Sequence, residues 1–340
     1  MASNLLKLPS QTFKPPNPFN PVHLSNALFK SVSIPSKLHT TNNFSLFPQF
    51  FSHKSKVLCV SLHSSLSSFS PPSSKEEAIL QAKTCLSTIL ERPLNNPRLA
   101  GKLKKQKQPR LRVEIPIIDE ESADSLIQLA IDVFGDLPIK RKGTKIKILL
   151  LWPNSTLTNF ANNAVSASLT SNPVENIDIS TFDNDNTRVV TFADIAVFLA
   201  PEISQLEAMK MVSDDMSSKP VVVFNPKWSF DEESSFGELS GFVGSFEVVY
   251  SILGLEVQGI LSKRRGVVFK YVRDGVLSGE KWGVWVEEEG GDLKVISRFK
   301  KRPSIGEVEN VLYNLMAVNS PITKSAKIFI DLVSNVTGKK

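Results

Sequence analysis

Histidine is absent from the chain beyond His63, because all four histidines (His23, His39, His53 and His63) lie among the first 75 residues. If that leading segment is removed, the mature protein has no imidazole to act as a catalytic base or metal ligand. This excludes Ser-His-Asp and Cys-His catalysis from the mature chain. We therefore expect no metal site and no cofactor, and the sequence favours a protein that is not an enzyme.

Acidic residues are absent from the first 75 residues, which contain seven lysines and no arginine and so carry +7. The remaining chain holds 33 basic and 34 acidic residues and is close to neutral. The overall pI near 9.1 is therefore a property of the leading segment. Basicity of the folded body cannot be used as an argument for nucleic-acid binding, which we regard as unlikely to be its function.

The leading segment has the composition of an organelle transit peptide, since it is rich in Ser, Pro and Asn and contains no acid. Prolines interrupt every candidate for the apolar core of a secretory signal, and the missing arginine argues against a mitochondrial presequence. We predict a chloroplast transit peptide over residues 1–59, cleaved near Cys59, and a disordered linker over 60–75. The alternative is a disordered N-terminal tail that is retained.

The start of the mature chain predicts two helices separated by a loop and a strand. Ser74 and Glu77 form a capping box for an amphipathic helix that Pro93 should end, with Cys85 on its apolar face as a core residue. A loop over 93–109 and a strand over 112–116 follow. Asp119 or Ser122 should cap a second helix that stops at Gly135.

Three short, almost continuous apolar runs occupy residues 146–152, 195–200 and 221–224. Such runs indicate strands buried on both faces, and helix-compatible segments at 157–165 and 206–216 lie between them. The longest apolar run, residues 195–201, is too short to span a membrane. The pattern predicts an α/β fold with a mostly parallel central sheet flanked by helices.

After Pro226 the pattern changes to alternating apolar and polar residues over 267–273, 282–287 and 293–299. Asp274-Gly275 and Gly290-Gly291 separate these segments and are turn signals. We predict an antiparallel β-meander and then a helix over 304–316. Residues 76–316 should form a single α/β domain, followed by an amphipathic tail helix over 317–340.

Polar residues follow each of the three apolar runs. Asn154, Ser155, Glu202 and Asn225 would line a crevice if the three strands are parallel, because ligands of open α/β sheets bind at the carboxyl ends of the strands. The alternative is structural, since Pro ends strands and Asn or Ser caps helices. No GxxxxGK[ST] or post-strand GxGxxG motif supports a nucleotide site.

Two basic runs and the tail are candidate contact surfaces. Lys102, Lys104, Lys105, Lys107, Arg110 and Arg112 form the first run, and Lys140, Arg141, Lys142, Lys145 and Lys147 form the second. Either could meet anionic lipid, RNA or an acidic partner, or could be a solvated loop; neither contains the aromatic residues that favour RNA. In the tail, Ile328, Phe329, Leu332, Val333 and Val336 form a stripe that could contact a partner or pack on its own domain.

A family resemblance rests on short motifs in a fixed order. They are Arg112-x-Glu114-x-Pro116, Trp152-Pro153, Ala200-Pro201, residues 219–226 with Asn225-Pro226, Phe246 and Tyr250. In these the chain resembles the plant and cyanobacterial domain of unknown function "nineteen ninety-five", over about residues 76–303. The family includes a chloroplast assembly factor for a photosystem II antenna subunit and the C-terminal part of a plastid adenylate kinase. No catalytic residues are carried over from it.

The resemblance implies a stromal or thylakoid-associated accessory protein. Our leading hypothesis is a non-enzymatic chloroplast protein that assists photosystem II biogenesis by binding a subunit, an assembly intermediate or another assembly factor. One alternative is a plastid small-ligand binder or enzyme that uses the strand-end crevice. A weaker alternative is an RNA-associated protein, which a continuous positive face joining the two basic runs would favour.

Overall fold

A computed structural model describes residues 70–95, 108–117, 122–168, 170–182, 187–258, 263–277, 281–288 and 290–318. Several predicted features lie outside these residues. They are the transit peptide, most of the linker, the lysines of the first basic run (Lys102, Lys104, Lys105 and Lys107) and the tail stripe at 328–336. The described helices and strands form an α/β protein in which helices flank a nine-stranded sheet.

The first half of the chain alternates helices with strands. In chain order the elements are α1 (Lys75–Asn95), β1 (Arg110–Glu114), α2 (Ala123–Ala130) continued by a π-helix (Ile131–Gly135), β2 (Lys140–Arg141), β3 (Thr144–Lys145), β4 (Ile148–Trp152), α3 (Ser155–Ala167), β5 (Val174–Asp178), α4 (Thr187–Phe192), β6 (Ile195–Leu199), α5 (Leu206–Asp215) and β7 (Val221–Phe224).

The second half is mainly antiparallel. Its elements are a 3₁₀ segment (Phe230–Ser235), α6 (Ser240–Val243), β8 (Glu247–Gln258), β9 (Lys263–Tyr271), β10 (Trp282–Glu287), β11 (Leu293–Phe299) and α7 (Ile305–Val318). The order of strands in the sheet is β11-β10-β9-β8-β1-β7-β6-β4-β5. β8, β1, β7, β6, β4 and β5 pair in parallel, whereas β10 and β11 pair antiparallel. The predicted parallel sheet followed by a β-meander is confirmed.

The described residues divide into two compact units. The larger contains the chain up to Gly254 and residues 269–277, and the smaller contains Leu255–Val268 and the chain from Lys281 onward. In the smaller unit, the turn between β10 and β11 needs the positive φ of Gly291, 87°. The Arg302 guanidinium lies over the Trp282 ring, 5.3 Å from its centroid.

In the larger unit the sheet is buried on both faces. On one face Phe134 of the π-helix packs edge-on against Phe224 of β7, with ring centroids 5.4 Å apart. On the other face a core forms around buried side chains of β4, β6, β7 and α5, including Leu149, Phe198 and Met209. Burial on both faces explains why these strands have continuous apolar sequences.

The caps predicted for the first two helices are present, but the predicted end of the first helix was wrong. Ser74 accepts a hydrogen bond from the Glu77 N–H at 3.1 Å, and Ser122 caps α2. α1 does not end at Pro93 but continues to Asn95. Pro93 lies in the last turn, where its ring removes one helical hydrogen bond while burial of Leu94 retains the turn. Cys85 is fully buried, as expected, and its thiol donates to the Val249 carbonyl.

Candidate functional site

The polar residues after β4, β6 and β7 lie at one edge of the larger unit's sheet. β6 pairs in parallel with both β4 and β7, so the three strands end in the same direction. Asn154, Glu202 and Asn225 each follow one of these ends. We call this the carboxyl edge and define it as residues 153–155, 200–205 and 225–239.

The Asn225 carboxamide is fully engaged with the backbone of one residue. Its Oδ1 accepts from the Ile115 N–H and its Nδ2 donates to the Ile115 carbonyl, both at 2.7 Å. Asn225 has a φ of 48°, in the left-handed region that Asn tolerates better than most residues. Its side chain therefore joins the end of β7 to the residue after β1.

Asn154 and Ser155 begin helix α3. The Asn154 Oδ1 accepts from the Leu157 N–H at 3.0 Å, which makes Asn154 the N-cap. Ser155 is the first helical residue and is exposed. These contacts match the capping interpretation of the sequence.

Glu202 is an exposed residue that bridges two loops of the carboxyl edge. Its carboxylate pairs with the Lys227 ammonium at 2.9 Å, and the Lys227 N–H donates to the Pro201 carbonyl. Gln205 reaches across to the Pro153 carbonyl with its Nε2 at 2.7 Å. The loops after β4, β6 and β7 are thus tied together by side chains that serve the fold.

A buried ionic cluster near this edge was missed by sequence analysis. The Arg112 Nε donates to Glu114 at 2.6 Å, and its Nη1 pairs with Glu233 of the 3₁₀ segment. Glu114 also accepts from the Ser251 hydroxyl, and Glu233 accepts from the Trp228 indole. The cluster holds the 3₁₀ segment against β1.

The position of Arg112 corrects its assignment to the first basic run. Arg112 is only 3% exposed, because β1 is a central strand paired with both β7 and β8 and the 3₁₀ segment covers the face on which Arg112 lies. Burial opposes its charge, but the two carboxylates outweigh burial and raise the pKa of the guanidinium. The Arg-x-Glu spacing, which places both residues on one strand face, was the available signal.

The second basic run forms a small hairpin at the opposite edge of the sheet. β2 and β3 pair so that Lys140 lies directly across from Lys145, and both are exposed. Lys142 and Gly143 occupy the turn with positive φ values of 49° and 83°, as in a type I′ turn. Lys142 and Lys147 are also exposed.

The hairpin is fixed to the body at two places. Asn95, the last residue of α1, donates to the Lys140 carbonyl and accepts from the Lys142 N–H, both at 2.9 Å. Buried Asp194 pairs with Arg141 and accepts from the Lys147 N–H at 2.9 Å. The lysine side chains of the hairpin therefore extend from a backbone that Asn95 and Asp194 fix in place.

Phe192 and Lys219 lie beside the hairpin. The Phe192 ring is 70% exposed, and the Lys147 ammonium lies over it at 5.9 Å. Lys219 donates to the Ala193 carbonyl at 2.7 Å, and burial lowers its pKa despite the nearby carboxylate of Asp194. We define the amino edge as residues 140–147, Phe192, Asp194 and Lys219, which precede β4, β6 and β7.

Arg110, like Arg112, belongs to the first basic run and lies within the described residues. Its guanidinium donates to Gln108 and Ser245 and lies 5.0 Å from the centroid of the Phe242 ring.

Within the described ranges, no group of three or more His, Cys, Asp or Glu side chains is arranged to hold a metal ion. The same residues include no helix that is long and apolar enough to cross a bilayer.

Comparison with known proteins gives a family and little more. No curated protein matches the chain. The solved structures that resemble it include the flagellar accessory protein FlaH from Methanocaldococcus jannaschii, at 13% identity and a TM-score of 0.26, with 55% of this chain and 90% of that chain covered. A family model described as "Domain of unknown function (DUF1995)" matches residues 72–310. The chain therefore belongs to the DUF1995 family.

Proposed function

We propose that this chain is a non-enzymatic accessory protein of the chloroplast that assists photosystem II biogenesis. It would bind a photosystem II subunit, an assembly intermediate or another assembly factor. It would reside in the stroma and associate peripherally with the thylakoid membrane. The acid-free leading segment supports this compartment. The resemblance of this chain to a family that includes a chloroplast assembly factor supports this process.

The structural observation behind a binding role is the opposite charge of the two sheet edges. The amino edge exposes Lys140, Lys142, Lys145 and Lys147. The carboxyl edge exposes Asp231, Glu232 and Glu238, and its further exposed acid, Glu202, is paired with exposed Lys227. Surfaces of opposite charge select different partners and orient them during encounter. A small body with two such surfaces is suited to hold two macromolecules at once.

The alternative of a small-ligand binder at the carboxyl edge has less support. Asn225 uses both carboxamide groups on the Ile115 backbone, and Asn154 uses its acceptor to cap α3. A ligand that recruited either side chain would have to break hydrogen bonds that the fold uses.

The proposal is tested by pulse-labelling chloroplasts that contain a tagged chain and purifying the chain from solubilised thylakoids. Newly synthesised photosystem II subunits should co-purify, and mature complexes should not. A variant in which Asp231, Glu232 and Glu238 become Asn or Gln should lose this capture if the acidic edge is the contact. As a matched control, Asp124, Asp292 and Glu307 are changed in the same way.

The outcome against the proposal is equally specific. If plants without the protein accumulate normal photosystem II, and no labelled subunit co-purifies, a role in photosystem II biogenesis is wrong.

The compartment is tested separately by sequencing the N-terminus of the chloroplast form. We expect it between about Val57 and Lys75, and peptides from residues 13–52 in the mature protein would contradict cleavage.

A further inference from the structure

The hairpin of the amino edge holds like charges in an unfavourable arrangement. Lys140 and Lys145 are cross-strand partners, and like charges directly opposite each other destabilise a β pair. The fold keeps them together through two hydrogen bonds between Asn95 and the hairpin backbone, one donated by Asn95 to Lys140 and one accepted by Asn95 from Lys142. With Lys142 and Lys147, four exposed ammonium groups lie within eight residues of chain. An anionic partner would relieve the repulsion among them.

An exposed aromatic ring lies beside these lysines and was not expected from the basic run alone. Phe192 is 70% exposed and is the most exposed of the large apolar side chains described in the structure. It is 45 residues from Lys147 in sequence, yet the Lys147 ammonium lies 5.9 Å from its ring centroid. The amino edge thus combines an apolar group with positive charge.

We propose that the amino edge docks on a bilayer surface that carries anionic headgroups. The four lysines would contact phosphate or sulfonate groups, while the Phe192 ring enters the boundary between headgroups and acyl chains. Peripheral proteins use this pairing of basic and apolar residues to bind reversibly without a span. The inference deepens the proposed function by naming the surface that meets the thylakoid.

The chemistry of the patch favours a lipid surface over nucleic acid. Its exposed charges are lysines, which attract anions as point charges, whereas nucleic-acid recognition commonly uses the planar fork of arginine. The one arginine of the hairpin, Arg141, is paired with Asp194.

The test is co-sedimentation with vesicles of the chain as purified from chloroplasts, because the seven lysines of the leading segment would bind anionic vesicles themselves. One set contains phosphatidylcholine alone, and the other contains phosphatidylcholine and phosphatidylglycerol in equal parts. Only the second set should bind the protein. Changing Lys140, Lys142, Lys145 and Lys147 together to Gln should weaken binding roughly a hundredfold or more, since each lysine near an anionic surface contributes roughly fivefold.

A matched variant controls for net charge. Lys210, Lys281, Lys300 and Lys301 are exposed lysines outside the amino edge, and their replacement by Gln removes the same charge. This variant should bind vesicles within about twofold of the unmodified chain. Phe192→Ser should lose about tenfold, including at high salt, whereas Phe160→Ser, on exposed Phe160 of α3, should lose little. Circular dichroism verifies that each variant is folded.

Three results would overturn the inference. The first is equal binding to neutral and anionic vesicles, and the second is equal loss in the amino-edge and control lysine variants. The third is preference for single-stranded RNA or an acidic peptide over the anionic vesicles in competition. A failure here with normal capture of photosystem II subunits would remove the docking surface but leave the proposed function.

Discussion

Where the parallel pairing of β1 and β7 ends, the Asn225 side chain makes the hydrogen bonds to Ile115 that a neighbouring strand backbone would otherwise make. Both of its hydrogen bonds to Ile115 are 2.7 Å long, and its own N–H donates to the Val113 carbonyl at 3.0 Å. The side chain can do this because the backbone turns away at a φ of 48°. The Asn225-Pro226 pair of the family motif therefore has a structural explanation.

Asn225→Ala should lower the free energy of unfolding by about 2–4 kcal/mol, because it removes two hydrogen bonds and leaves the buried Ile115 amide and carbonyl without them. Chemical denaturation measures this loss. Asn154→Ala is the control, since it removes one exposed helix cap worth about 1 kcal/mol. Equal stability of Asn225→Ala and the unmodified chain would show that the clamp contributes nothing.

The sequence was sufficient to predict the elements with a strong local pattern. Continuous apolar runs located β4, β6 and β7, and glycine turns located the meander. β5 was missed because this strand at the sheet edge carries Glu175 and Asn176 and lacks an apolar run. β8 was also left unassigned, because the first alternating segment recognised after Pro226 was residues 267–273, which lie beyond it.

Contacts between residues that are far apart in sequence could not be predicted from the sequence. Arg112 lies among lysines in sequence, but its partner Glu233 is 121 residues away. Phe192 could not be added to the second basic run without knowing that the residues before β4 and β6 share an edge. At the carboxyl edge the sequence correctly placed Asn225 after a strand end, but it could not show that Ile115 occupies its carboxamide.

Gly266 of β9, in the smaller unit, should not accept a side chain without a loss of stability. A Cβ at this position would lie 2.3 Å from the Trp285 carbonyl oxygen, so β9 would have to move away from β10. We expect Gly266→Ala to lower the free energy of unfolding by about 1–3 kcal/mol. Gly306 of α7 has open space around its Cβ position, and Gly306→Ala should raise stability by up to about 1 kcal/mol. Thermal unfolding of both variants tests the contrast, which a loss in both would contradict.

Asp136 should contribute stability that depends on pH. Hydrogen bonds from the Ser171 side chain and N–H, helped by Lys83 and Lys145, hold the pKa of its carboxyl below the usual range. Since the folded-state pKa is depressed, the contribution is present above the ordinary aspartate pKa of about 3.9 and is lost as pH falls through the folded value. Asp136→Asn should therefore be less stable than the unmodified chain near neutral pH.

Urea denaturation of both proteins over a pH series measures this difference. The gap between their free energies of unfolding should narrow as the solution becomes acidic. A gap that stays constant across the series would mean that the hydrogen bond to Ser171 does not depend on the charge of Asp136.

Arg112 should be the most sensitive position of the buried ionic cluster. Arg112→Met keeps much of the side-chain volume but leaves the Glu114 and Glu233 carboxylates buried without their cation. Removing one partner of a buried ionic group commonly costs about 3–5 kcal/mol. We expect a loss of this size in the free energy of unfolding at neutral pH.

A triple variant identifies the cause of that loss. Without the guanidinium, the carboxylates of Glu114 and Glu233 remain as buried charges that have lost the Arg112 cation. Adding Glu114→Gln and Glu233→Gln should therefore recover stability at neutral pH, because both of these charges are gone. A deficit that the triple variant does not recover would show that Arg112 acts through packing of its side chain and not through its charge.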